Sequence, residues 1–440
     1  MPISLILFLL IIAAPASAHV THPAWSRDAT IYEVNVRQYT PSGTFQEFET
    51  HLPRLKEMGI DILWLMPIHP IGEENRKGSL GSYYSVKDYL AVNPEFGTME
   101  DFKGLVKEIH DQGMYVILDW VANHCAWDNS LVSAYPEWFT LDSTGSMISP
   151  VPDWHDVVDF NYDNADLRAW MIDALKFWVR ETDIDGYRCD VAGMVPQEFW
   201  MEARTELDEL KPVFMLAEDE DPVHHEQAFD MTYSWELHHL MVKIADGKET
   251  ARELAKYFRR DASRYSDDAY RMLFTDNHDE NTWNGTVFER FGEGAEAFAV
   301  LALTAPGMPL VYSGQETGLD KRLRFFDKDT IEWREHPFAE VYTALLNLKH
   351  THRALWNGDE GGRLTPVPTS KDDAIFAFTR EKRRDRILVI LNLSSASQTF
   401  SLRGRTAPGS YRDAFSNHAM TVSVKDKITL GPWEYRVLIR

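Results

Sequence analysis

From about His19 to Leu355, short apolar runs alternate with longer stretches of helical periodicity. Ile31 to Val36 reads as a first strand. Phe45 to Met58 follows as an amphipathic helix, with Phe45, Phe48, Leu52, Leu55 and Met58 on one face and Gly59 as its stop. Ile60 to Met66 is a second strand, Phe102 to Asp111 a helix, and Tyr115 to Leu118 a third strand. After a helix over Asp166–Glu181, further strands are predicted at Ile184–Asp190, Val213–Ala217, Met231–Trp235, Arg271–Thr275 and Pro309–Tyr312. Strands separated by helices of this length form parallel βα units. Eight of them over more than ~250 residues predict an α/β fold, a (β/α)8 TIM barrel. A doubly wound sheet is the alternative, but no Gly-rich turn follows the first strand.

Two stretches depart from the pattern. Residues 124–164 are polar and rich in Trp and Pro, and read as a short inserted domain B after strand 3. From about Thr365 onward short β runs take over, at Ala374–Phe378, Ile387–Leu391 and Tyr435–Ile439. They predict a C-terminal antiparallel β-sandwich domain. The expected division is a signal peptide over 1–18, a barrel over 19–123 and 165–360, the insertion over 124–164 and the β domain over 361–440.

Composition narrows the class. The chain has 440 residues with 45 basic and 68 acidic side chains, a formal net charge of −23. That excludes a basic nucleic-acid surface and suits a soluble protein with a neutral or cationic ligand. The 14 Trp and 17 Tyr supply the core and leave rings to stack on sugar faces. Ile3 to Ala14 is apolar but too short to span a bilayer, and Ala16-Ser17-Ala18 forms a small-x-small cleavage site. Export to the periplasm or beyond the cell is expected. No membrane anchor is expected, since no Cys follows the cleavage site and no other segment is long and apolar enough to span. Cys125 and Cys189 are read as small buried thiols rather than a disulfide framework.

The chemistry lies at the strand ends, where a TIM barrel builds its active site. Val116-Ile117-Leu118 runs into Asp119, Tyr187-Arg188-Cys189 into Asp190, Met215-Leu216-Ala217 into Glu218, and Leu273-Phe274-Thr275 into Asp276-Asn277-His278-Asp279. One such acid is an ordinary helix N-cap. Several on one barrel mouth repel each other and call for a functional reason. Two carboxylates, one protonated and one ionised, are the minimum for glycoside hydrolysis. Arg188 and Asp190 are two apart on a strand, so they share a side, and the cation holds Asp190 ionised as a nucleophile. Glu218, behind an apolar run, is positioned for desolvation and a raised pKa. His124 and His278 offer neutral hydrogen bonds to hydroxyls. Neither an HExxH nor a His-x-His spacing supports transition-metal catalysis.

These motifs together resemble the α-amylase family, glycoside hydrolase family 13, along nearly the whole chain. Asp119-Trp120-Val121-Ala122-Asn123-His124 matches D-x-x-x-N-H, Gly186-Tyr187-Arg188-Cys189-Asp190 matches G-x-R-x-D, and Asn277-His278-Asp279 matches N-H-D. Gly307 to Glu316 matches the segment that closes the barrel. The resemblance implies Asp190 as nucleophile, Glu218 as general acid/base and Asp279 as transition-state stabiliser. It implies Arg188 as the group orienting Asp190, and His124, His278, Tyr84 and Asp119 as residues that bind or support the sugar. It further implies a calcium ion held by Asn123 and Asp159, an α-glucan or maltooligosaccharide substrate, and a monomer. Where many endo-acting members carry Lys-His after the nucleophile, this chain has Gly193 and Met194. The substrate range within the family therefore stays open. Alternatives are an α-glucosidase, a transglycosylase, or a non-catalytic sugar-binding member; the intact Asp190, Glu218 and Asp279 argue against the last.

Overall fold

The computed structural model describes residues 20–404 and 407–440; the expected signal peptide lies outside them. Strands β1 (Ile31–Val34), β2 (Ile62–Leu65) and β3 (Tyr115–Trp120) are followed by a short antiparallel pair, β4 (His124–Ala126) and β5 (Val157–Asp159). Then come β6 (Gly186–Cys189), β7 (Phe214–Ala217), β8 (Met231–Tyr233), β9 (Tyr270–Leu273) and β10 (Met308–Tyr312). All but the β4–β5 pair form one closed barrel, in the order β1-β10-β9-β8-β7-β6-β3-β2, and its ladders are parallel. All eight strands expected from the apolar runs are present.

The two-residue period of the strands sorts side chains into two sets. Tyr32, Leu63, Val116, Tyr187, Met215 and Val311 join the large core beneath the helices. Ile31, Trp64, Ile117, Phe214, Leu216, Met231 and Met308 fill a separate cluster inside the barrel. Followed toward the strand ends, the inner positions change from apolar to charged, at Glu33, Asp119, Arg188 and Asp190, all buried. Cys189 alternates out of this set into the outer core, and Cys125 is likewise a buried free thiol.

The first helix differs from its expected form. It breaks into Phe45–Glu49 and Leu52–Met58, with Pro53 in the first turn of the second piece. Proline lacks an N–H and is tolerated there but not in a helix interior. The next helix, Met99–Asp111, starts earlier than its periodicity shows because Thr98 and Asp101 form a capping box. The insertion contains a helical turn at Ser130–Ala134 besides the β4–β5 pair.

The C-terminal part is antiparallel: β11 (Arg363–Pro366), β12 (Ile375–Lys382), β13 (Asp385–Asn392), β14 (Gln398–Phe400), β15 (Gly409–Asp413), β16 (Ala419–Val422), β17 (Ile428–Leu430) and β18 (Tyr435–Ile439). Six of these strands make one sheet, β11-β12-β13-β18-β15-β16, and β14 pairs with β17. A cluster including Ile375, Leu388, Phe400, Tyr411, Leu430 and Leu438 fills the space between them. Arg380 of β12 is buried and donates to the carbonyls of Ala305 and Trp356, pinning this domain to the barrel.

Candidate active site

The strand ends of the barrel converge on one guanidinium. Arg188 is fully buried; its Nη1 donates to Asp119 Oδ1 and to Asp190 Oδ1, both at 2.9 Å, and its Nε to the Tyr233 hydroxyl at 3.2 Å. Nη2 lies 2.8 Å from Glu218 Oε1, but the contact is not aligned as a hydrogen bond and that nitrogen is otherwise unpartnered among the described residues. Three carboxyl groups thus surround one cation away from bulk water. They cannot all be ionised at once without stacking uncompensated negative charge in a low-dielectric site.

Burial raises all three carboxyl pKa values, and Arg188 pulls each of them back. Glu218 ends highest, at about 7, with the charges of Asp190 and Asp279 adding to the effect of burial. The three titrate as one coupled system. Its last proton belongs on Glu218, the carboxyl without an aligned bond to Arg188. Asp190 keeps that bond and is the ionised partner. Burial nonetheless raises its carboxyl, and Arg188 offsets that burial only in part.

Glu218 has a second tether. Val191, directly after Asp190, adopts φ +38° and ψ +48°, and its N–H donates to Glu218 Oε2 at 2.8 Å. A β-branched residue in the left-handed region is strained by roughly 1–3 kcal/mol. The strain turns one backbone N–H from the end of β6 toward the acid at the end of β7.

Asp219 and Glu220 follow Glu218 directly in the chain; their surroundings separate them from it. Asp219 accepts from the Asp221 N–H at 2.6 Å and faces His224, whose hydrogen bond holds its pKa down. Glu220 lies against Arg271 and the Glu236 N–H. Neither lines the cleft. Asp276 also turns away, to pair with Arg290.

The two histidines differ, and His278 departs from the neutral donor expected. Burial pushes His124 down to about 3, so it is neutral at the cleft wall. Burial also disfavours charge on His278, but Asp279 and Glu33 outweigh it and raise His278 to about 9. Its Nδ1 lies 2.5 Å from Glu33 Oε1 and its Nε2 2.8 Å from the Tyr84 hydroxyl. The Tyr84 hydroxyl donates to Asp119 Oδ2 at 3.1 Å, and Trp64 Nε1 donates to the same oxygen at 3.0 Å. An imidazolium with both N–H groups engaged closes this network. Glu33, inside β1, was not singled out from sequence, because one polar residue in an apolar run carries no signal of what it faces.

The mouth is a cleft of about 530 Å³ that brings together Tyr84, His124, Asp190, Glu218, His278 and Asp279. Asp119 and Arg188 lie beneath it. Trp154, Trp283 and Phe325 were not foreseen as lining residues; Trp154 and Phe325 sit in loops without periodicity, and Trp283 in the short π-helical segment Glu280–Asn284. Trp283 is 51% exposed and donates to Asp279 Oδ1 at 3.2 Å. At the Glu218 end, Gly193 presses on Asp219: a Cβ there would meet Asp219 Oδ2 at 1.9 Å, so a lysine could not stand here unless Asp219 moved. Met194 beside it is 45% exposed.

A match to the alpha amylase catalytic domain covers residues 27–156 and 151–336, most of the chain and all the strands of the barrel. The chain belongs to the α-amylase family of glycoside hydrolases. Residues 367–437 match the C-terminal domain of maltogenic amylases. Among solved structures, this α-amylase-family chain is similar to a noncanonic maltogenic α-amylase, AmyB, from Thermotoga neapolitana. The two are 34% identical with a TM-score of 0.86, over 94% of this chain and 98% of that one. An α-amylase from Lactobacillus plantarum is 31% identical with a TM-score of 0.84, over 94% and 99%. The α-amylase MalA of Haloarcula japonica is 28% identical over 93% of this chain, which spans 62% of that relative's length.

Asn123 and Asp159, the expected calcium ligands, do meet: Asn123 Nδ2 donates to Asp159 Oδ1 at 3.4 Å. Calcium takes six to eight oxygens. Among the described residues no group of three or more His, Cys, Asp or Glu side chains is gathered to hold a metal. An amide hydrogen aimed at the carboxylate satisfies the pair without an ion, so as it stands the pair does not fit a calcium cage.

Proposed function

We propose that the chain hydrolyses α-1,4-glucosidic bonds in starch-type glucans or maltooligosaccharides by double displacement with retention. The observation that carries this reading is the shared Arg188, which leaves one carboxyl ionised at Asp190 and one protonated at Glu218. Asp190 attacks the anomeric carbon while Glu218 gives its proton to the departing glycosidic oxygen, leaving a covalent glycosyl ester on Asp190. The Glu218 carboxylate then takes a proton from water, and the hydroxyl attacks the same carbon to release the sugar and free Asp190. Asp279, held by Trp283, hydrogen-bonds the sugar and opposes the positive charge that develops on its ring, while His278, its two ring nitrogens engaged by Glu33 and Tyr84, holds the Tyr84 hydroxyl in place. Tyr84 lies under that ring. No step passes through a metal.

Similarity to the maltogenic α-amylase of Bacillus acidopullulyticus, 26% identical over 88% of this chain, and to a Bacillus cyclomaltodextrinase, 26% identical over 86%, supports small α-glucans as substrates. Export fits the small-x-small site at Ala16-Ser17-Ala18. Among the described residues no helix is long and apolar enough to cross a membrane, and we take the working form to be a monomer. Incubation with maltoheptaose and product analysis over time tests the reading. Hydrolysis to shorter maltooligosaccharides is expected, lost at least ~10³-fold in Asp190→Asn and Glu218→Gln variants that still fold. Longer products indicate transfer to sugar, and full activity in either variant refutes the assignment.

A further inference from the structure

Four side chains that lie far apart in sequence form one hydrogen-bonded line under the cleft, Glu33–His278–Tyr84–Asp119. All four are buried. Glu33 Oε1 meets His278 Nδ1, and Glu33 Oε2 has no hydrogen-bond partner among the described residues. The groups facing His278 are Glu33 from β1, the Tyr84 hydroxyl from the loop after β2, Asp279 at 3.4 Å from Nε2, and the more distant charge of Arg188 from β6. Trp64 meets the imidazole edge-on at 6.0 Å, and Phe325 lies 6.3 Å away.

The protonation of His278 decides which way this line points. An imidazolium donates from both nitrogens and accepts at neither. Its Nδ1–H goes to Glu33 and its Nε2–H to the Tyr84 oxygen, so the single Tyr84 proton goes to Asp119 Oδ2. Asp119 then accepts from three donors, Tyr84, Trp64 and Arg188. The His278 charge also favours ionised Asp119. A neutral His278 that kept its Nδ1 proton would present a bare Nε2. The Tyr84 hydroxyl would turn to it, and Asp119 would lose both a donor and a neighbouring cation. Asp119 and Glu218 share Arg188, so a less supported Asp119 competes for the proton that Glu218 needs as an acid.

We propose that Glu33 is a positioning residue for acid catalysis: by engaging His278 it turns the Tyr84 hydroxyl onto Asp119, keeps Asp119 ionised and leaves the shared proton on Glu218. This rests on the hydrolase reading above. The test compares kcat/KM on maltoheptaose, whose leaving sugar must be protonated, with α-maltosyl fluoride, which loses fluoride ion without a proton. Glu33→Gln keeps the size and a hydrogen-bond acceptor but removes the charge. At pH 5.5 an imidazole protonates unaided, and the variant should stay near wild type on maltoheptaose. Toward pH 8.5 its His278 becomes neutral, and the ratio of variant to wild type on maltoheptaose should fall at least ~3-fold, while the ratio on the fluoride stays within about 2-fold. Tyr84→Phe, which keeps the ring but breaks the line, should lose more on maltoheptaose than on the fluoride. A Glu33→Gln ratio on maltoheptaose that does not change with pH would overturn the proposal, as would equal losses on both substrates in either folded variant. A wild type that cleaves neither substrate would instead overturn the hydrolase reading itself.

Discussion

Replacing Glu33 by Gln removes one of the two charges that keep His278 protonated. His278 is nearly fully buried, and its pKa of about 9 stands against an ordinary 6.5. That difference, about 2.5 units at ~1.4 kcal/mol each, is worth about 3 kcal/mol of preference for the charged imidazole. Asp279, the Glu33 charge and the Glu33 hydrogen bond supply it against the opposing effects of burial and Arg188, and loss of the Glu33 carboxylate should cost the charged form on the order of 1–2 kcal/mol. Glu33 is itself raised, because its own burial costs more than His278 returns; the absolute stability of the variant thus mixes two opposing effects. The pH dependence isolates one of them. A folded pKa above the unfolded value contributes stability that is complete below pH 6.5 and is lost as pH rises through 9. The variant has less of it to lose. Its Tm relative to wild type should therefore climb by roughly 1–2 °C between pH 6.5 and 9.5, read by calorimetry at both ends of that range. Selectively 13C-labelled histidine should show the His278 resonance titrating at least about one unit lower. Parallel Tm profiles together with an unmoved His278 titration would refute the claim that Glu33 holds this charge.

The catalytic pair sets a bell-shaped rate profile. kcat/KM should fall on the alkaline side as Glu218 loses its proton near pH 7, and on the acid side as Asp190 gains one above the ordinary Asp value of 3.8; a steady-state profile flat from pH 4 to 9 would contradict both. Gly193→Ala should cost about 1–3 kcal/mol in urea unfolding, because its methyl group runs into the Asp219 carboxylate. The same variant should raise KM for substrates that extend past Glu218 more than for short ones. Dialysis against a chelator should move Tm by less than about 2 °C if the Asn123–Asp159 pair is self-sufficient; a larger loss reversed by calcium places an ion there.

Much of the barrel was legible because its strands are apolar on both faces. The inner cluster around Trp64 and Phe214 and the outer core around Leu63 and Met215 each need hydrophobic side chains, so each strand stands out as a short run. The carboxylates ending β3, β6 and β7 were legible for the same reason, as abrupt polar stops. What escaped notice depends on contacts between distant segments. The break before Pro53 was hidden by an apolar periodicity that continues straight across it. The charge on His278 depends on Glu33, 245 residues away in sequence. Separating Glu218 from Asp219 and Glu220 likewise needed the neighbours of each carboxyl group.

The central claim is that Asp190 becomes glycosylated while Glu218 moves the proton. Its most direct test is trapping with a 5-fluoro-α-glucosyl fluoride, whose ring fluorine slows both steps and whose leaving group speeds the first. Peptide mass spectrometry should find one hexosyl adduct on the peptide containing Asp190, with Glu218→Ala accumulating it longer than wild type. An adduct on Glu218, or turnover to the β-anomer with no adduct at all, would contradict the account.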